Sequence, residues 1–248
     1  MREAVYSGSR NLYPHMVTAA KSLVANSDVE RVWFLVEDEA FPFDVPGIVE
    51  TMDVSKQKFF PKTCANIRTN YTFMSLMRVA YAKLFPETDK ILQLDVDTVV
   101  VDDVSSLWDI DLGNAWFAAC DEANGKHKPY GPRYYNIGVA MFNLAQIRED
   151  GIDNQLITFL NSTPVPYIDQ DAWCLYGNQR AIDLPPRYNE CYMVGFTENP
   201  AICHFAGHGN DWTNPEDTRT PRLEHLKAYR EMSWEEAMER HEKISGKQ

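Results

Sequence analysis

The stretch Ile91-Leu92-Gln93-Leu94-Asp95-Val96-Asp97-Thr98-Val99-Val100-Val101 constrains this chain more than any other. An apolar, β-branched run bounded by charged residues predicts a buried strand, and carboxylates interrupt it at Asp95 and Asp97. Side chains two apart on an extended segment leave from the same face, so the aspartates converge on one point. Two bare anions held there repel unless a proton or a cation lies between them. The pair therefore asks for a hard divalent metal with oxygen ligands. The plainer alternative is a strand that ends in an exposed Asp-rich turn, which needs no ion.

The surrounding elements predict where that strand lies. Ala4-Val5-Tyr6 reads as a first strand, stopped by Ser7-Gly8-Ser9, and Met16, Ala20, Leu23 and Val24 then recur at helical spacing. Val32 to Val36 and Ile48 to Val54 supply two further strands. Strand, helix, strand with short connections favours an α/β fold, with a mostly parallel sheet covered by helices. Phe73, Leu76, Met77, Ala80, Tyr81 and Leu84 make the face of a helix from Thr72 to Phe85, ended by Pro86, with Arg78 off its apolar stripe. Ala115 to Cys120 is a strand that ends at Asp121. Tyr135 to Asn143 is another, and its Asn136-Ile137-Gly138 marks a close approach of a ligand or a second backbone. Leu144 to Phe159 is helical and broken at Gly151. Tyr167 to Asp171 opens a helix that runs through Trp173 and Tyr176, so Asp169, Gln170 and Asp171 fall in a first turn that tolerates negative charge. Arg180 to Leu184 and Ala201 to Phe205 are the last strands. Ser233 to Glu236 forms a capping box for a terminal helix.

Composition narrows the partners. Among 248 residues, 36 acidic side chains against 24 basic ones leave a net charge of -12, which disfavours nucleic acid and anionic membranes as partners. The five cysteines are scattered without a C-x-x-C, as in a reduced, cytoplasmic protein. No apolar run is long enough to span a bilayer and no signal segment precedes Ala4. The irregular segment 55–71, with Lys56, Lys58, Lys62 and Arg68, is either a lid over an anion or a solvated connector.

Asp95 and Asp97 need a third ligand. His204 qualifies, because it ends the short apolar strand that begins at Ala201. Two carboxylates and an imidazole suit Mn2+ better than Zn2+ or Ca2+, with Mg2+ also admissible. A histidine beside a strand that is simply satisfied in the core is the bland alternative.

These blocks together resemble glycosyltransferase family eight, which includes glycogenin and the bacterial lipopolysaccharide galactosyl- and glucosyltransferases. Ser75 to Pro86 running into Asp89 to Asp97 looks like the core signature of that family. Tyr135-Asn136-Ile137-Gly138-Val139, Asp169-Gln170-Asp171, and His204-Phe205-Ala206-Gly207 followed by Trp212 continue the match in order. The resemblance implies a GT-A fold over residues 1–215, with residues 216–248 as a helical extension packed on it. It further implies retaining transfer of a hexose from a UDP-sugar donor to a carbohydrate or glycoconjugate acceptor. Asp95, Asp97 and His204 would hold Mn2+ against the diphosphate, with Val96 and Gly207 beside it. Arg78 would reach the donor sugar or phosphates, and Asn136 a sugar hydroxyl. Asp121, Asp169, Gln170 and Asp171 would lie on the sugar's reactive side, where carboxylates stabilise an oxocarbenium-like state. Ser7 and Gly8 would lie along the uridine. Leu12 or Tyr13 occupies the place where the family stacks an aromatic on uracil, and Tyr13 is the residue expected.

Two departures accompany the match. Asn210-Asp211-Trp212 stands where the family commonly has Lys-Pro-Trp on the diphosphate, so a phosphate-binding cation is missing. The interval from Asp171 to His204 is also short, leaving less chain for an acceptor platform. Two other function classes fit parts of the pattern. A haloacid-dehalogenase-type phosphatase uses a strand leading into D-x-D-x-T, as in Asp95 to Thr98, but needs a later lysine and acidic pair not found here. A non-catalytic nucleotide-sugar-binding module is the other.

Overall fold

The computed structural model describes residues 1–68, 73–123, 130–206, 212–213 and 222–246. In chain order its strands are β1 (Glu3–Ser7), β2 (Arg31–Val36), β3 (Val49–Asp53), β4 (Lys90–Leu94), β5 (Thr98–Val100), β6 (Phe117–Asp121), β7 (Tyr135–Asn143), β8 (Ala181–Asp183) and β9 (Ile202–His204). The helices are α1 (Tyr13–Ala25), α2 (Phe73–Leu76), α3 (Tyr81–Leu84), α4 (Leu144–Asp150), α5 (Ile152–Ser162), α6 (Ile168–Gly177), α7 (Leu223–Glu231) and α8 (Trp234–Ser245).

Seven strands form the central sheet in the order β3-β2-β1-β4-β7-β6-β8. Only β7 runs against its neighbours, pairing antiparallel with β4 and β6. The sheet is mostly parallel, as the short strand-helix-strand connections predict. Its central strands are buried on both faces, which is why they read as unbroken apolar runs. Alternation along them divides the core in two. Ala4, Tyr6, Leu92, Leu94, Val139 and Met141 pack on one side with α1, α7 and α8. Val5, Ile91, Ala140 and Phe142 face the other side with α2 to α6. Among the described residues no helix is long and apolar enough to cross a membrane, and the five cysteines are buried and free.

Two expectations change. The run from Ile91 to Val101 is not one strand. β4 stops at Leu94, a turn closed by the Thr98 N–H to Asp95 O bond (3.2 Å) follows, and β5 pairs with β9 in a separate two-stranded sheet. Both halves are apolar because both are buried, so the composition hides the break. The helix expected from Thr72 to Phe85 (Thr72 lies outside the described residues) is likewise interrupted by a 3₁₀ turn at Met77–Ala80. Side chains three apart eclipse in that geometry, so Arg78 and Tyr81 stand side by side over the end of β4. At Gly151 the expected break is present: the residue takes φ +63°, a left-handed conformation that ends α4 and starts α5.

The last two helices lie along α1. Lys21 Nζ donates to Met232 O at 2.6 Å, Asn26 Nδ2 to the Tyr229 hydroxyl at 2.6 Å, and His241 Nδ1 meets Ser27 O at 2.8 Å. The Ser233 hydroxyl caps α8 by accepting from Glu236 N at 3.1 Å.

Phe142, in β7, is fully buried in the second core against Tyr81, Phe117 and Trp173. Phe142→Ala is expected to lower the unfolding free energy by roughly 3–5 kcal/mol, read from the midpoint of a urea melt.

Candidate functional site

β1 and β4 are parallel neighbours, with Tyr6 opposite Leu94. Their carboxyl ends therefore deliver Ser7-Gly8 and Asp95 to the same rim, where open α/β sheets place ligands. Gly8 is packed closely there: a Cβ on it would meet Met16 Cε at 2.9 Å and Val96 Cγ1 at 3.4 Å. The turn after β4 brings Asp95 and Asp97 together, and β9, paired to β5 with Thr98 opposite His204, carries the imidazole to them. Asp95, Asp97 and His204 offer ligand atoms that all lie within 4.8 Å of one another, the one such group among the described residues. The aspartates do converge, but through a turn between two sheets and not along one strand face.

The hydrogen bonds around His204 decide its protonation. Asn136 Oδ1 accepts from Gly138 N (3.1 Å), and its Nδ2 donates to the buried Glu122 (2.9 Å), which fixes the orientation of that amide. Asn189 Nδ2 donates to Asn136 Oδ1 at 2.9 Å, so Asn189 Oδ1 is left to accept from His204 Nδ1 at 2.7 Å. In its neutral form the ring then carries its proton on Nδ1, and the Nε2 lone pair points at carboxylate oxygens of Asp97 (3.3 Å) and Asp95 (3.8 Å). Nε2 is buried and has no hydrogen-bond partner. Three electron-pair donors aimed at one point, one of them buried and unsatisfied, fit a divalent cation.

Electrostatics tell the same story from the proton side. Burial, opposed by Arg78 and reinforced by Asp97, pushes Asp95 up to about 6. Burial also pushes Asp97 upward, but the adjacent His204 outweighs it and holds Asp97 low. Burial pulls His204 down, yet Asp97 raises it well above the ordinary histidine range. A proton on His204 is what the cluster takes when a cation does not fill it.

Arg78 is the second organiser. Its guanidinium pairs with Asp95 and, at 3.1 Å, with Asp169 Oδ2. Gln93 Nε2 donates to Asp95 Oδ1 at 3.0 Å, and the Tyr81 hydroxyl donates to Gln93 Oε1 at 2.6 Å while meeting the Ser7 side chain. Asp169 is buried, and burial raises its carboxyl against the pull of Arg78. Before it stands Ile168 at φ +41°, a strained conformation for a β-branched residue, which turns the start of α6 into the site.

The other expected residues are distributed around this centre. Gln170 Oε1 accepts from Ile137 N (3.2 Å) and its Nε2 donates to Glu122 (3.1 Å). Asp171 is fully buried, taking the Tyr134 hydroxyl at 2.6 Å and Tyr167 N at 2.9 Å, so it holds the start of α6. Asp121 accepts from Tyr134 N at 3.0 Å at the end of β6. Gly207 lies outside the described residues, as do Asn210 and Asp211. Tyr13 is a correction. Its ring is fully buried against Phe41, and its hydroxyl sits between Glu37 N and Asp38, so no face is left to stack on a base. Half-buried Leu12, beside Gly8, is nearer the rim.

Three residues that matter here carry no signal in the sequence. Gln93 looks like strand filler. Glu122 is masked by the expected Asp121 next to it, and Asn189 is one polar residue in an aromatic-rich loop. Pro185-Pro186-Arg187-Tyr188-Asn189 was the available hint, since the loop leads directly toward β9.

Gly138 has no room for a side chain: a Cβ would lie 2.3 Å from His204 Cε1 and 2.8 Å from Asp95 Oδ2. Gly138→Ala is expected to displace the imidazole, and Asn189→Ala to free its tautomer. Each should weaken Mn2+ binding by roughly 10–100-fold, followed through the electron paramagnetic resonance signal of the free ion, with the melting temperature nearly unchanged for Asn189→Ala.

The chain is similar to several known proteins. The chain is 24% identical over 248 residues to General stress protein A of Bacillus subtilis, covering 82% of this chain and 85% of that protein. It is 26% identical over 231 residues to the probable glycosyl transferase Gly of Streptococcus gordonii. It is also 26% identical over 232 residues to glycosyltransferase GlyF of Streptococcus pneumoniae. The aligned part covers 88% and 86% of this chain but only 32% and 54% of those longer proteins. Among solved structures, galactosyltransferase LgtC with donor and acceptor sugar analogs superposes with a TM-score of 0.70 at 20% identity, covering 92% of this chain and 95% of that one. GlyE of Streptococcus pneumoniae gives 0.73 at 19%, covering 96% of this chain and 62% of that one. These likenesses show the GT-A fold. The family model described as Glycosyl transferase family 8 matches residues 4–215, and the chain belongs to that family of glycosyltransferases.

Proposed function

We propose that this glycosyltransferase moves a hexose from a UDP-sugar to a hydroxyl of a glycan or glycoconjugate acceptor, with Mn2+ as the ion and with retention of anomeric configuration. The observation that carries the reading is the unpartnered Nε2 of His204 converging with Asp95 and Asp97 at the carboxyl rim of the sheet. Two carboxylates and one imidazole suit Mn2+, with Mg2+ as a weaker substitute. Bound there, the ion would supply Lewis-acid charge for the departing diphosphate.

The chain's own groups do the rest. Ser7 and Gly8, on the rim beside Val96, lie where the uridine would run. Arg78, clamped between Asp95 and Asp169, opposes the burial that raises both carboxyls and presents a fixed cation toward the donor. Gln170 and Asn136, both bonded to Glu122, form one wall whose amides are pre-oriented for sugar hydroxyls. Asp169 and Glu122 supply negative charge next to that wall, as a transition state with positive character at the anomeric carbon requires. Asp121 borders the acceptor side. Asp171 acts only through Tyr134 and Tyr167, as a positioning residue. The exposed Phe196, in the loop beyond Asn189, offers an apolar surface for an acceptor ring.

The phosphatase alternative lapses with family membership. The binding-module reading is tested by turnover. Purified protein with Mn2+ and UDP-glucose, UDP-galactose or UDP-N-acetylglucosamine is expected to release UDP slowly without acceptor, from at least one donor. Tight UDP binding with no release in any acceptor screen would overturn the transferase reading. Asp97→Asn should abolish most Mn2+-dependent donor binding in calorimetry while melting at nearly the wild-type temperature. Arg78→Ala should weaken the donor complex by about tenfold or more, because it removes a buried charge-assisted contact. Proton NMR of the first-formed product should show the donor's anomeric configuration.

A further inference from the structure

Between Asp53 and Glu87 the sequence has no acidic residue, yet it carries Lys56, Lys58, Lys62, Arg68, Arg78 and Lys83 in a chain whose net charge is -12. Three of these cations are neutralised within the fold: Arg78 by Asp95 and Asp169, Lys83 by Asp153 at 3.1 Å, and Lys56 by Glu39. Lys58, Lys62 and Arg68 are exposed, and among the described residues none of the three side chains has a hydrogen bond or an ion pair. Like charges without counter-ions on one short segment repel one another, and an anion relieves them.

The segment that bears them is fixed in place at the mouth of the site. It leaves β3 at the carboxyl rim of the sheet, where Val54 N donates to Val36 O at 2.8 Å. Phe60 and Cys64 are buried in the second core with Met74 and Met77. Asn161, near the end of α5, donates through Nδ2 to Phe59 O at 2.8 Å, and its carbonyl accepts from Ala65 N at 3.0 Å. Asn66 is buried: its Nδ2 donates to Leu160 O at 2.6 Å and Thr163 O at 2.8 Å, and its Oδ1 accepts from Val165 N at 2.9 Å. The turn held in this way runs straight into Tyr167 and α6, whose start carries Asp169 and Gln170. Lys58, Lys62 and Arg68 therefore border the rim between β3 and α6, on the side of Asp169 and across the sheet from α1. An anionic membrane would meet the acidic surface of the whole protein, whereas a short ligand within a Debye length of the loop meets only these cations.

We propose that the acceptor is anionic, bearing phosphate or carboxylate groups, and that Lys58, Lys62 and Arg68 hold those groups while its hydroxyl enters beside Gln170. This deepens the transferase reading above, on which it rests, by naming the chemical class of the acceptor.

The test is fluorescence anisotropy of end-labelled pentameric glycerol phosphate, pentagalacturonate and maltopentaose, titrated with protein in saturating Mn2+ and UDP. Wild type should bind at least one charged probe about tenfold or more tighter than maltopentaose at low salt, an advantage that shrinks as salt is raised. Which charged probe binds tells phosphate from carboxylate. The triple variant Lys58→Gln, Lys62→Gln, Arg68→Gln should lose the advantage while its UDP affinity stays that of wild type. Wild type that prefers neither charged probe, or a triple variant that keeps the preference, overturns the inference. A triple variant with weakened UDP binding overturns it as well, because the cations then serve the donor's diphosphate. So does binding of wild type, but not of the variant, to phosphatidylglycerol vesicles with no preference among the probes, which puts the loop on a membrane. Failure of wild type to bind UDP with Mn2+ sinks the transferase reading instead, and is read before any probe is added. Should the triple variant melt early, Lys62→Glu decides, with the same pattern expected of it.

Discussion

The hydrogen bond from His204 Nδ1 to Asn189 Oδ1 is the contact on which the site depends. It makes the imidazole a base at Nε2, and a base aimed at two carboxylates is unstable without a cation. Everything that holds Asn189 therefore acts on the metal site. Asn136 holds Asn189, Glu122 holds Asn136, and the same Glu122 oxygen receives Gln170 from the start of α6. A single line of amides and one buried carboxylate thus runs from α6 to the third ligand. A buried network of this sort is worth having only when each member is satisfied, and here His204 Nε2 is the one end left open.

The fold supplies this line cheaply because it splits one apolar run between two sheets. If the chain from Ile91 to Val101 had continued straight, Asp97 would have extended beyond β4 into the space outside the sheet. By turning at Asp95 and pairing β5 with β9, the chain sets His204 opposite Thr98 and one step from Asp97. Arg78 makes the same turn tolerable from the other side, since an isolated Asp95 buried at that rim would take up a proton. The 3₁₀ interruption at Met77–Ala80 places Arg78 and Tyr81 together over Gln93 and Asp95.

Strands were legible in the sequence where burial on both faces leaves little choice of residue. β1, β2 and β7 read correctly to within a residue or two for that reason. The Gly151 break was legible because a left-handed residue at a helix end is a local requirement. The turn inside the apolar run was not, because Val96 and Thr98 to Val100 are as apolar on one side of the turn as on the other. The 3₁₀ turn was hidden similarly, since its eclipsed side chains keep nearly helical spacing. Asp95, Asp97 and His204 stood out because their chemistry is conspicuous at those places. Glu122, Gln93 and Asn189 did not, because what defines them is a partner far away in sequence: Glu122 meets Gln170 across 48 positions. Tyr13 failed for a different reason. An aromatic at the start of the first helix is equally suited to a base or to Phe41, and only the path of residues 37–41 decides between them.

The C-terminal helices show why site and stability cannot be separated in this chain. Glu190, buried next to the Asn189 that holds His204, accepts from Arg222 Nε at 2.9 Å and from Thr197 N at 2.7 Å. Its backbone also accepts from His204 N at 2.9 Å and donates to Ile202 O, so the same residue frames β9 and receives the start of α7. Arg222 takes φ +61° to make that contact, a conformation an arginine adopts only when its surroundings insist. α7 and α8 then bury Leu226, Tyr229, Met232 and Ala237 against α1, the helix whose first turn faces the rim. Burial of that apolar face stabilises the helices, and the Glu190–Arg222 pair converts the stability into position. The pair links the packing of α7 on α1 to the residue beside Asn189, and β5, which touches α1 and α7, pairs with the strand that carries His204.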